Sequence, residues 1–469
     1  MEWVDKEKAL TWLGRQRSNS AEAAIPIRDI TNLHKILLIH KQNKNPVRSS
    51  MSATYLKYNY LSGKHMFMNK TNRVCGLDVH KDTIFACVKK GKYQSEVREF
   101  STFTEGLEEF RHWLHGECVD EVAMESTGIY WMPVWRALET DFMLLLVNPY
   151  FIKQMPGRKS DVQDAVWIAT LCDKQLLKGS IVPEKEIRVL REYLRRYAQL
   201  QGQMTRCLQQ IEKHLSKCNI KIASLSSTIG SKTVIDIVAS ICNGQYTPEH
   251  LLTLVHTRIK NRHGNKVKES LQGIIEDHDV FLLRQIYSDY LHIDAQCKAL
   301  VEQAEKIADE HFMREITLLQ TIPGIKKLSA IIIFAETGGN IGVFPSSENL
   351  TGWCGLRPKN DESAGKIKSR SITKGNKYLR RILVQTGWAA SRTKGCYLKE
   401  KFTQLSIRKS SKKALIAIAR KQLVIIWNVL SKAEVYKEPH TVLSPKRVEQ
   451  KRKYYLEKLE KLREFEKAG

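Results

Sequence analysis

Apolar and polar positions alternate through residues 74–149 in short runs that predict a mixed sheet. These runs are rich in the β-branched and aromatic residues that strands favour, and short polar connections separate them. The predicted elements are strands over 74–79, 83–90 and 95–101, a helix over 104–116 with Thr104 as N-cap, a strand over 121–126, a helix over 130–139, a strand over 142–149 and a helix that begins after Ser160. Three consecutive strands followed by alternating helices and strands predict a mixed sheet covered by helices.

After Pro183 the apolar positions recur at alternating steps of three and four, the heptad spacing of a coiled coil. The first heptad series comprises Ile187, Leu190, Leu194, Tyr197, Met204, Leu208, Ile211 and Leu215, interrupted at Gln201. The second comprises Tyr290, Ile293, Cys297, Leu300, Ala304 and Ile307. Two such helices, separated by a shorter helical segment over 219–285, predict an antiparallel arm or a dimerisation element. Ordinary helix packing within a bundle is the alternative.

The C-terminal part is predicted to be mostly helical. Ile322, Pro323, Gly324 and Ile325 form an apolar turn between two helices, similar to a helix-hairpin-helix, whose backbone amides are able to hold a phosphate. A further helix is predicted over 413–430.

The fold class is therefore α/β plus all-α. The predicted domains are a largely disordered extension over 1–73, a catalytic domain over 74–182, a coiled-coil arm over 183–315, a C-terminal domain over 316–432 and a charged helical tail over 433–469.

Charge indicates the class of partner. The 469 residues carry a formal net charge of +26, which favours a polyanion, with nucleic acid before an anionic membrane surface. Residues 357–421 hold 19 Lys and Arg against 3 Asp and Glu, so we expect the nucleic-acid surface to be C-terminal.

The location is expected to be cytoplasmic and nucleoid-associated. We expect no apolar run near 18 residues in this chain, and hence no membrane association is predicted. The ten cysteines include no CxxC pair, which suits a reducing compartment and argues against a disulfide framework and a zinc site.

Four carboxylates follow the predicted elements in an order that brings them together. Asp78 lies in the first strand, Glu125 ends the fourth, and Asp161 and Asp164 share one face at the start of a helix. If the first and fourth strands are parallel neighbours, as in ribonuclease H-like sheets, all four acids converge. Converging carboxylates repel each other unless divalent metal binds them, and we predict two Mg²⁺ ions. For any one of these acids alone, a cap or turn is the simpler interpretation.

The chain resembles the DEDD transposases of bridge-RNA-guided insertion sequences, relatives of the pilin-gene invertases, over residues 74–431. The segments that carry the resemblance are GLDVHKD, MESTGIYW, NPYFIKQ, KSDVQDA, TIPGIKK, GLRPKNDESAGK and ITKGNKYLRRIL. The resemblance implies a RuvC-like catalytic domain, in which Asp78, Glu125, Asp161 and Asp164 match the family's four acids. It also implies a C-terminal transposase domain that supplies a serine nucleophile.

Ser363, in DESAGK, best matches that serine, with Ser369 and Ser371 as competitors. A serine in a flexible, basic loop is able to attack a phosphodiester whose charge is neutralised by metal. The resemblance further implies a guide (bridge) RNA and a homo-oligomer, dimer or tetramer, with a composite active site. The polyanion contacts predicted from the residues themselves are Lys366, Lys368, Arg370, Lys374, Arg380 and Arg381.

The sequence therefore predicts a site-specific DNA recombinase of a mobile element. Two alternatives remain open at this point. A RuvC-like, structure-specific nuclease would use the same four acids with water as nucleophile. A non-catalytic nucleic-acid scaffold would need the basic C-terminal half alone.

Overall fold

The computed structural model describes residues 73–91, 94–126, 128–149, 160–359, 361–363, 366–369 and 371–439, with isolated positions beyond 440. The predicted N-terminal extension, apart from Arg73, lies outside the described residues. So does most of the predicted charged tail.

A six-stranded mixed sheet forms the first part, in the strand order β3-β2-β1-β4-β5-β6. Its strands are β1 (Val74–Val79), β2 (Thr83–Lys89), β3 (Ser95–Ser101), β4 (Glu121–Glu125), β5 (Met143–Val147) and β6 (Gly179–Ser180). The strand β1 runs parallel to β4 and β4 parallel to β5, whereas the pairs β1–β2, β2–β3 and β5–β6 are antiparallel. This is the ribonuclease H-like arrangement that the sequence predicted, with the first and fourth strands as parallel neighbours.

Helices cover the sheet on both faces. They are α1 (Thr104–Gly116), α2 (Trp131–Leu138) and α3 (Asp161–Asp173). Phe110, Trp113 and Leu138 pack with the β1 and β4 side chains in one core, while Ile168 and Cys172 of α3 pack with Ala123 and Val147 in another. The burial of these apolar faces against the sheet is the main source of stability here.

Two details of the predicted sheet domain are corrected. Thr104 is not the N-cap of α1: Phe103 holds that position in extended backbone, without a side-chain cap, and Thr104 begins the helix. The edge strand β6 was not predicted, because two residues, Gly179 and Ser180, carry no alternating pattern. Gly179 pairs there with Val147 at the far edge of the sheet.

A helical arm follows, built on α4 (Lys185–Lys217) and α10 (Asp277–His311). The two helices pack against each other antiparallel: Gln201 donates to Cys297 Sγ at 3.7 Å, whereas His214, further along α4, contacts Asp279 near the start of α10. The two heptad series therefore face each other within one chain, as the antiparallel-arm alternative predicted.

The segment between the long helices forms a small helical domain at the end of the arm, and this domain has its own core. Its helices are α5 (Ile222–Leu225), α6 (Lys232–Cys242), α7 (Pro248–Leu254), α8 (Thr257–His263) and α9 (Asn265–Glu269). Val234, Ile237 and Leu251 pack there against Ile211 and Leu215 of α4.

The C-terminal region is mostly helical and shares a core with the base of the arm. Its elements are α11 (Met313–Gln320), α12 (Lys327–Thr337), a 3₁₀ turn (Ile341–Val343), α13 (Ser347–Trp353), the hairpin strands β7 (Asp361–Ser363) and β8 (Lys366–Ser369), α14 (Lys377–Ala390), α15 (Tyr397–Arg408) and α16 (Ser411–Lys432). Ile187 and Leu190 of α4 and Ala304 of α10 are fully buried in this core, beside Leu383 and Leu423. The arm is thereby joined to the C-terminal region through packed side chains.

The apolar turn between α11 and α12 lies where it was predicted, and it packs against neighbouring helices. Gly324 has φ +86°, and a Cβ there would lie 2.6 Å from Ala390 N and also meet the Thr386 carbonyl. Gln422 of α16 donates to the Pro323 carbonyl at 3.0 Å. Glycine is required at position 324, because a side chain there would collide with the backbone of the neighbouring helix α14. The contacts of this turn are thus structural, and its predicted phosphate contact is not tested.

One described helix, α16, is long and apolar enough to cross a membrane by length and composition, with a mean hydropathy of 1.5. The expectation that the chain holds no such run is corrected for this helix. Ala419, Leu423 and Ile426 of α16 are fully buried in the C-terminal core.

Candidate active site

Two of the predicted acids lie side by side because their strands are parallel neighbours. Leu77 pairs with Met124 in register, and Asp78 and Glu125 are the next residues along β1 and β4. Both acids therefore lie near the carboxyl ends of parallel strands. Functional side chains concentrate at this edge in open α/β sheets.

The other two acids lie on the first turn of α3. Ser160 caps this helix as predicted, since its hydroxyl accepts a hydrogen bond from the Gln163 amide at 3.3 Å. The cap fixes where the helix begins and hence where Asp161 and Asp164 project.

Gly76 lets α3 approach β1 closely enough to bring these acids to the sheet. A Cβ at Gly76 would lie 2.6 Å from the Ala165 carbonyl and would also meet the Ala169 backbone nitrogen. The helix side is equally small, because Ala165 and Ala169 are alanines with no exposed surface. Small residues on both sides therefore set the separation between Asp78 and the α3 acids.

The surroundings of Asp78, which include the other three acids, raise its pKa. The Asp78 side chain is 14% exposed, and this burial is the main cause that raises its pKa above the usual range. The charge of His80 opposes the rise, whereas the charges of Asp164, Asp161 and Glu125 add to it. Each of these three carboxylates thus lies near enough to disfavour the ionised form of Asp78.

His80 is the basic side chain of this cluster, and the sequence analysis did not single it out. Its Nε2 lies 3.3 Å from Asp78 Oδ2 and 3.5 Å from Asp161 Oδ1. A histidine two residues beyond an acid, in a turn after a strand, carries no pattern that separates it from a surface residue. Its contact with Asp161 depends on the packing of α3, which the local sequence does not reveal.

The donor set fits a divalent cation. Ligand atoms of Asp78, His80 and Asp161 all lie within 4.8 Å of one another, and the charges of Asp164 and Glu125 act on Asp78 from close by. Magnesium binds through one or two carboxylates and keeps several waters, which the half-exposed Asp161 permits. A cation here would also relieve the repulsion among the carboxylates.

The predicted serine lies in a hairpin and not in the loop that its surroundings predicted. Ser363 ends β7 and pairs with Lys366 of β8, and the hairpin continues outward through a bridge between Pro358 and Ile372. The two competing serines, Ser369 and Ser371, form a hydrogen bond between their hydroxyls at 2.8 Å. No described contact relates Ser363 to the four acids, and its catalytic role stays a prediction.

The predicted phosphate contacts follow the same hairpin and the helix after it. Lys366 and Lys368 lie in β8, Lys374 and Arg381 are exposed, and Arg380 is half-buried with a 3.4 Å hydrogen bond to the Thr373 carbonyl. Arg370 lies outside the described residues.

A shallow hollow of about 500 Å³ adjoins these basic residues, and it was not predicted. It is lined by Arg195, Trp353, Gly375, Asn376, Lys377 and Tyr378. Arg195 lies 5.0 Å and Lys377 5.1 Å from the centre of the Tyr378 ring. Trp353 is 41% exposed, which is high for so large an apolar side chain. The exposed Trp353 ring and the half-buried Tyr378 ring, beside these cations, suit the bases and phosphates of an unpaired strand.

Behind the hollow, a buried acid holds three helices together. Arg195 of α4 donates to both Glu336 oxygens at 2.9 Å, and Asn376 donates to Glu336 Oε2 at 2.7 Å. Burial raises the pKa of Glu336, but the hydrogen bonds from Arg195 and Asn376 and the nearby guanidinium charges outweigh it, so the net shift is downward. The carboxylate thus stays charged and positions Arg195 and the start of α14.

Two family models match the chain over separate stretches. A DEDD transposase model of the IS110 type, described as "Transposase", matches residues 75–220. The model described as "Transposase IS116/IS110/IS902 family" matches residues 316–403. The first match contains the four acids, and the second contains Ser363 and the predicted phosphate contacts.

Similar curated proteins are also transposases by name. The chain is 28% identical over 164 residues to the transposase for insertion sequence element IS1111A of Coxiella burnetii, covering 33% of this chain and 43% of that protein. It is 30% identical over 171 residues to the putative transposase y4pF/y4sB of Sinorhizobium fredii, covering 34% of this chain and 41% of that protein. The alignments thus span about two fifths of these relatives. Together with the family matches, they show that residues 75–220 and 316–403 are similar to the two transposase domains of the IS110 type.

Proposed function

We propose that the protein is a Mg²⁺-dependent, site-specific DNA transposase of an insertion sequence. The observation that supports this most is the cluster around Asp78, in which acids from β1, β4 and α3 lie close enough to raise the pKa of Asp78. Acids gathered in this way at the strand ends of a ribonuclease H-like sheet suit phosphodiester chemistry.

The four acids and Ser363 have separate proposed tasks. Asp78, Glu125, Asp161 and Asp164 would hold two Mg²⁺ ions, which would activate the attacking oxygen and stabilise the leaving oxygen. The Ser363 hydroxyl loses its proton and attacks phosphorus, so that a serine–phosphate bond forms while the bond to the leaving DNA oxygen breaks. The leaving oxygen takes up a proton and remains as the free hydroxyl end of the DNA. Attack by a new DNA end on the phosphoserine then releases the serine without net hydrolysis.

The basic hairpin and the hollow beside it are the proposed nucleic-acid surface. Lys374 and Arg381 would contact phosphates, while Trp353 and Tyr378 would stack with unpaired bases. Lysine and arginine bind phosphate groups irrespective of the base sequence. Selectivity would therefore come from a guide RNA that pairs with target and donor DNA. A homo-oligomer would bring the acids of one protomer to the serine of another.

The test is a joining reaction with defined components. The protein is purified, its co-purifying RNA is sequenced, and DNA that pairs with the loops of that RNA is supplied with Mg²⁺. The wild type should join DNA ends and form a covalent protein–DNA adduct. Ser363→Ala should abolish adduct and joining, whereas the matched control Ser371→Ala should retain both.

The variants separate the alternatives. A nuclease that uses water would continue to cleave after Ser363→Ala. A non-catalytic scaffold would show no cleavage even in the wild type, and Asp78→Asn would leave its binding unchanged. Normal strand cleavage by the Asp78→Asn protein would contradict the metal site itself.

A further inference from the structure

Three side chains suited to zinc meet at the end of the arm where α4 stops and α10 starts. His214 lies on the last turn of α4, Cys218 is its C-cap residue, and Asp279 lies on the first turn of α10. One ligand atom from each of the three lies within 4.8 Å of the other two. This cluster shares no residue with the acids around Asp78.

One pair of the donor atoms is spaced as in tetrahedral zinc. His214 Nε2 lies 3.3 Å from Asp279 Oδ1. Zinc bonds of about 2.0–2.3 Å place neighbouring ligand atoms roughly 3.3–3.8 Å apart in a tetrahedral site. The imidazole and the carboxylate therefore stand at a separation that suits zinc, and the ion would replace the 3.1 Å contact between His214 Nε2 and the Asp279 backbone carbonyl.

The chemistry and burial of the cluster also favour zinc over a hard cation. Nitrogen, sulfur and oxygen together form a zinc set, whereas Mg²⁺ and Ca²⁺ prefer oxygen alone. His214 and Cys218 are each 6% exposed, and the Asp279 side chain is 15% exposed. The neighbouring His278 side chain is 66% exposed, with its Nε2 3.4 Å from Asp279 Oδ1, so solvent reaches the residues beside Asp279.

The backbone around the cluster is fixed by contacts that need no metal. The Ile274 amide donates to the Cys218 carbonyl at 3.0 Å, and a Cβ at Gly273 would meet that same carbonyl. The apolar core of the arm's end also packs directly beside it, through Leu215 and Val280. A site held in this way is preorganised, and the chain is expected to fold with or without the ion.

We propose that His214, Cys218 and Asp279 bind one Zn²⁺ ion, with water in the fourth position, and that this ion fastens α4 to α10. Such a ligand set has no CxxC signature, because His214 and Asp279 are 65 residues apart. The lack of a CxxC pair in the sequence disfavours a zinc site built on paired cysteines, and this ligand set uses a single cysteine. A metal that binds the folded arm in preference to the unfolded chain stabilises it.

The test uses the full-length protein, stripped with a chelating resin and then titrated with Co²⁺ or Zn²⁺. Co²⁺ should give a thiolate-to-cobalt charge-transfer absorption, which oxygen ligands around Asp78 cannot produce. Zn²⁺ should displace it at one ion per chain and, beyond any shift that comes from the acids around Asp78, raise the midpoint of thermal unfolding by about a further 5 °C. Cys218→Ser and His214→Gln should lose the absorption and this thermal shift.

Cys242→Ser is the matched control, because Cys242 is 4% exposed in the same helical core but lies outside the cluster. It should keep the absorption and the zinc-induced shift. Absence of the charge-transfer band in the wild type would overturn the proposal, as would its persistence in a folded Cys218→Ser protein. Far-ultraviolet circular dichroism establishes that each variant is folded.

Discussion

The negative charge of Asp78 lowers the stability of the folded protein but is needed for the proposed metal binding, and both effects can be measured. Its raised pKa means that the ionised form is disfavoured in the folded protein, chiefly by burial and then by the neighbouring acids. Because the folded-state pKa exceeds the unfolded one, stability decreases as pH rises through this interval. A bound cation or an uncharged side chain should remove the penalty.

We therefore predict that Asp78→Asn stabilises the metal-free protein at neutral pH, raising the unfolding midpoint by roughly 1–3 °C. Mg²⁺ should raise the midpoint of the wild type and have a much smaller effect on the variant. Differential scanning calorimetry with and without Mg²⁺ measures both effects. An Asp78→Asn protein that is less stable than the metal-free wild type would show that Asp78 is a structural acid.

At the scale of elements, Gly76→Ala tests whether the close approach of α3 to β1 builds the site. The added methyl meets backbone atoms of α3, which cannot rotate away, so we predict a loss of about 3 kcal/mol in the free energy of unfolding. The Mg²⁺-induced rise in midpoint should also disappear, because Asp161 and Asp164 move away from Asp78. Gly91→Ala, at a position with nothing within 4 Å, should change stability by less than about 0.5 kcal/mol. Equal urea-unfolding curves for the two variants would contradict the prediction.

Glu336 gives a prediction for the junction of α4, α12 and α14. Glu336→Gln leaves Arg195 without its charged partner, at a cost of about 2 kcal/mol, since the 43% exposed Arg195 side chain is partly solvated. The folded-state pKa of Glu336 is lowered, so its contribution is fully present above the unfolded pKa and is lost as pH falls through the folded one. Urea unfolding should thus separate wild type and variant at pH 7 and bring them together in acid. The exposed control Glu302→Gln should show little difference at either pH.

The elements that the sequence predicted most accurately are those whose pattern is local. The observed bounds of β1, β3 and α1 agree with the predicted ones, because alternation and helical periodicity are properties of neighbouring residues. The hairpin β7–β8 escaped prediction, since its charged, short strands have little β-propensity and are defined by their pairing. At the heptad interruption, Gln201 still contacts the facing helix through Cys297 Sγ, while the adjacent Leu200 is 1% exposed, as the apolar face drifts around a helix of 3.6 residues per turn.

The same distinction applies to the site. Asp78 was recognisable because a lone acid in an apolar strand is costly, and Asp161 and Asp164 because they share a helix face. His80, Arg195 and Trp353 were not, because their neighbours come from distant segments. The small helical domain at the end of the arm was likewise predicted only as a helical segment, since its five helices are short and their packing is tertiary.

For the whole molecule, the net charge of +26 predicts binding to nucleic acid that weakens steeply with salt. Lys374→Ala and Arg381→Ala should each reduce the slope of log K against log salt concentration by about 1, because each removes one phosphate contact. Lys90→Ala is the matched control, since Glu96 and Glu117 already neutralise that lysine, and it should leave the slope unchanged.

Trp353→Ala should leave the salt dependence of binding unchanged. It should weaken the free energy of binding to single strands by about 1–3 kcal/mol, because base stacking on the indole ring is lost. Fluorescence anisotropy with a labelled single strand, measured from low to high salt, separates charge from stacking. A Trp353→Ala protein with unchanged affinity at every salt concentration would exclude the hollow as a base-binding surface.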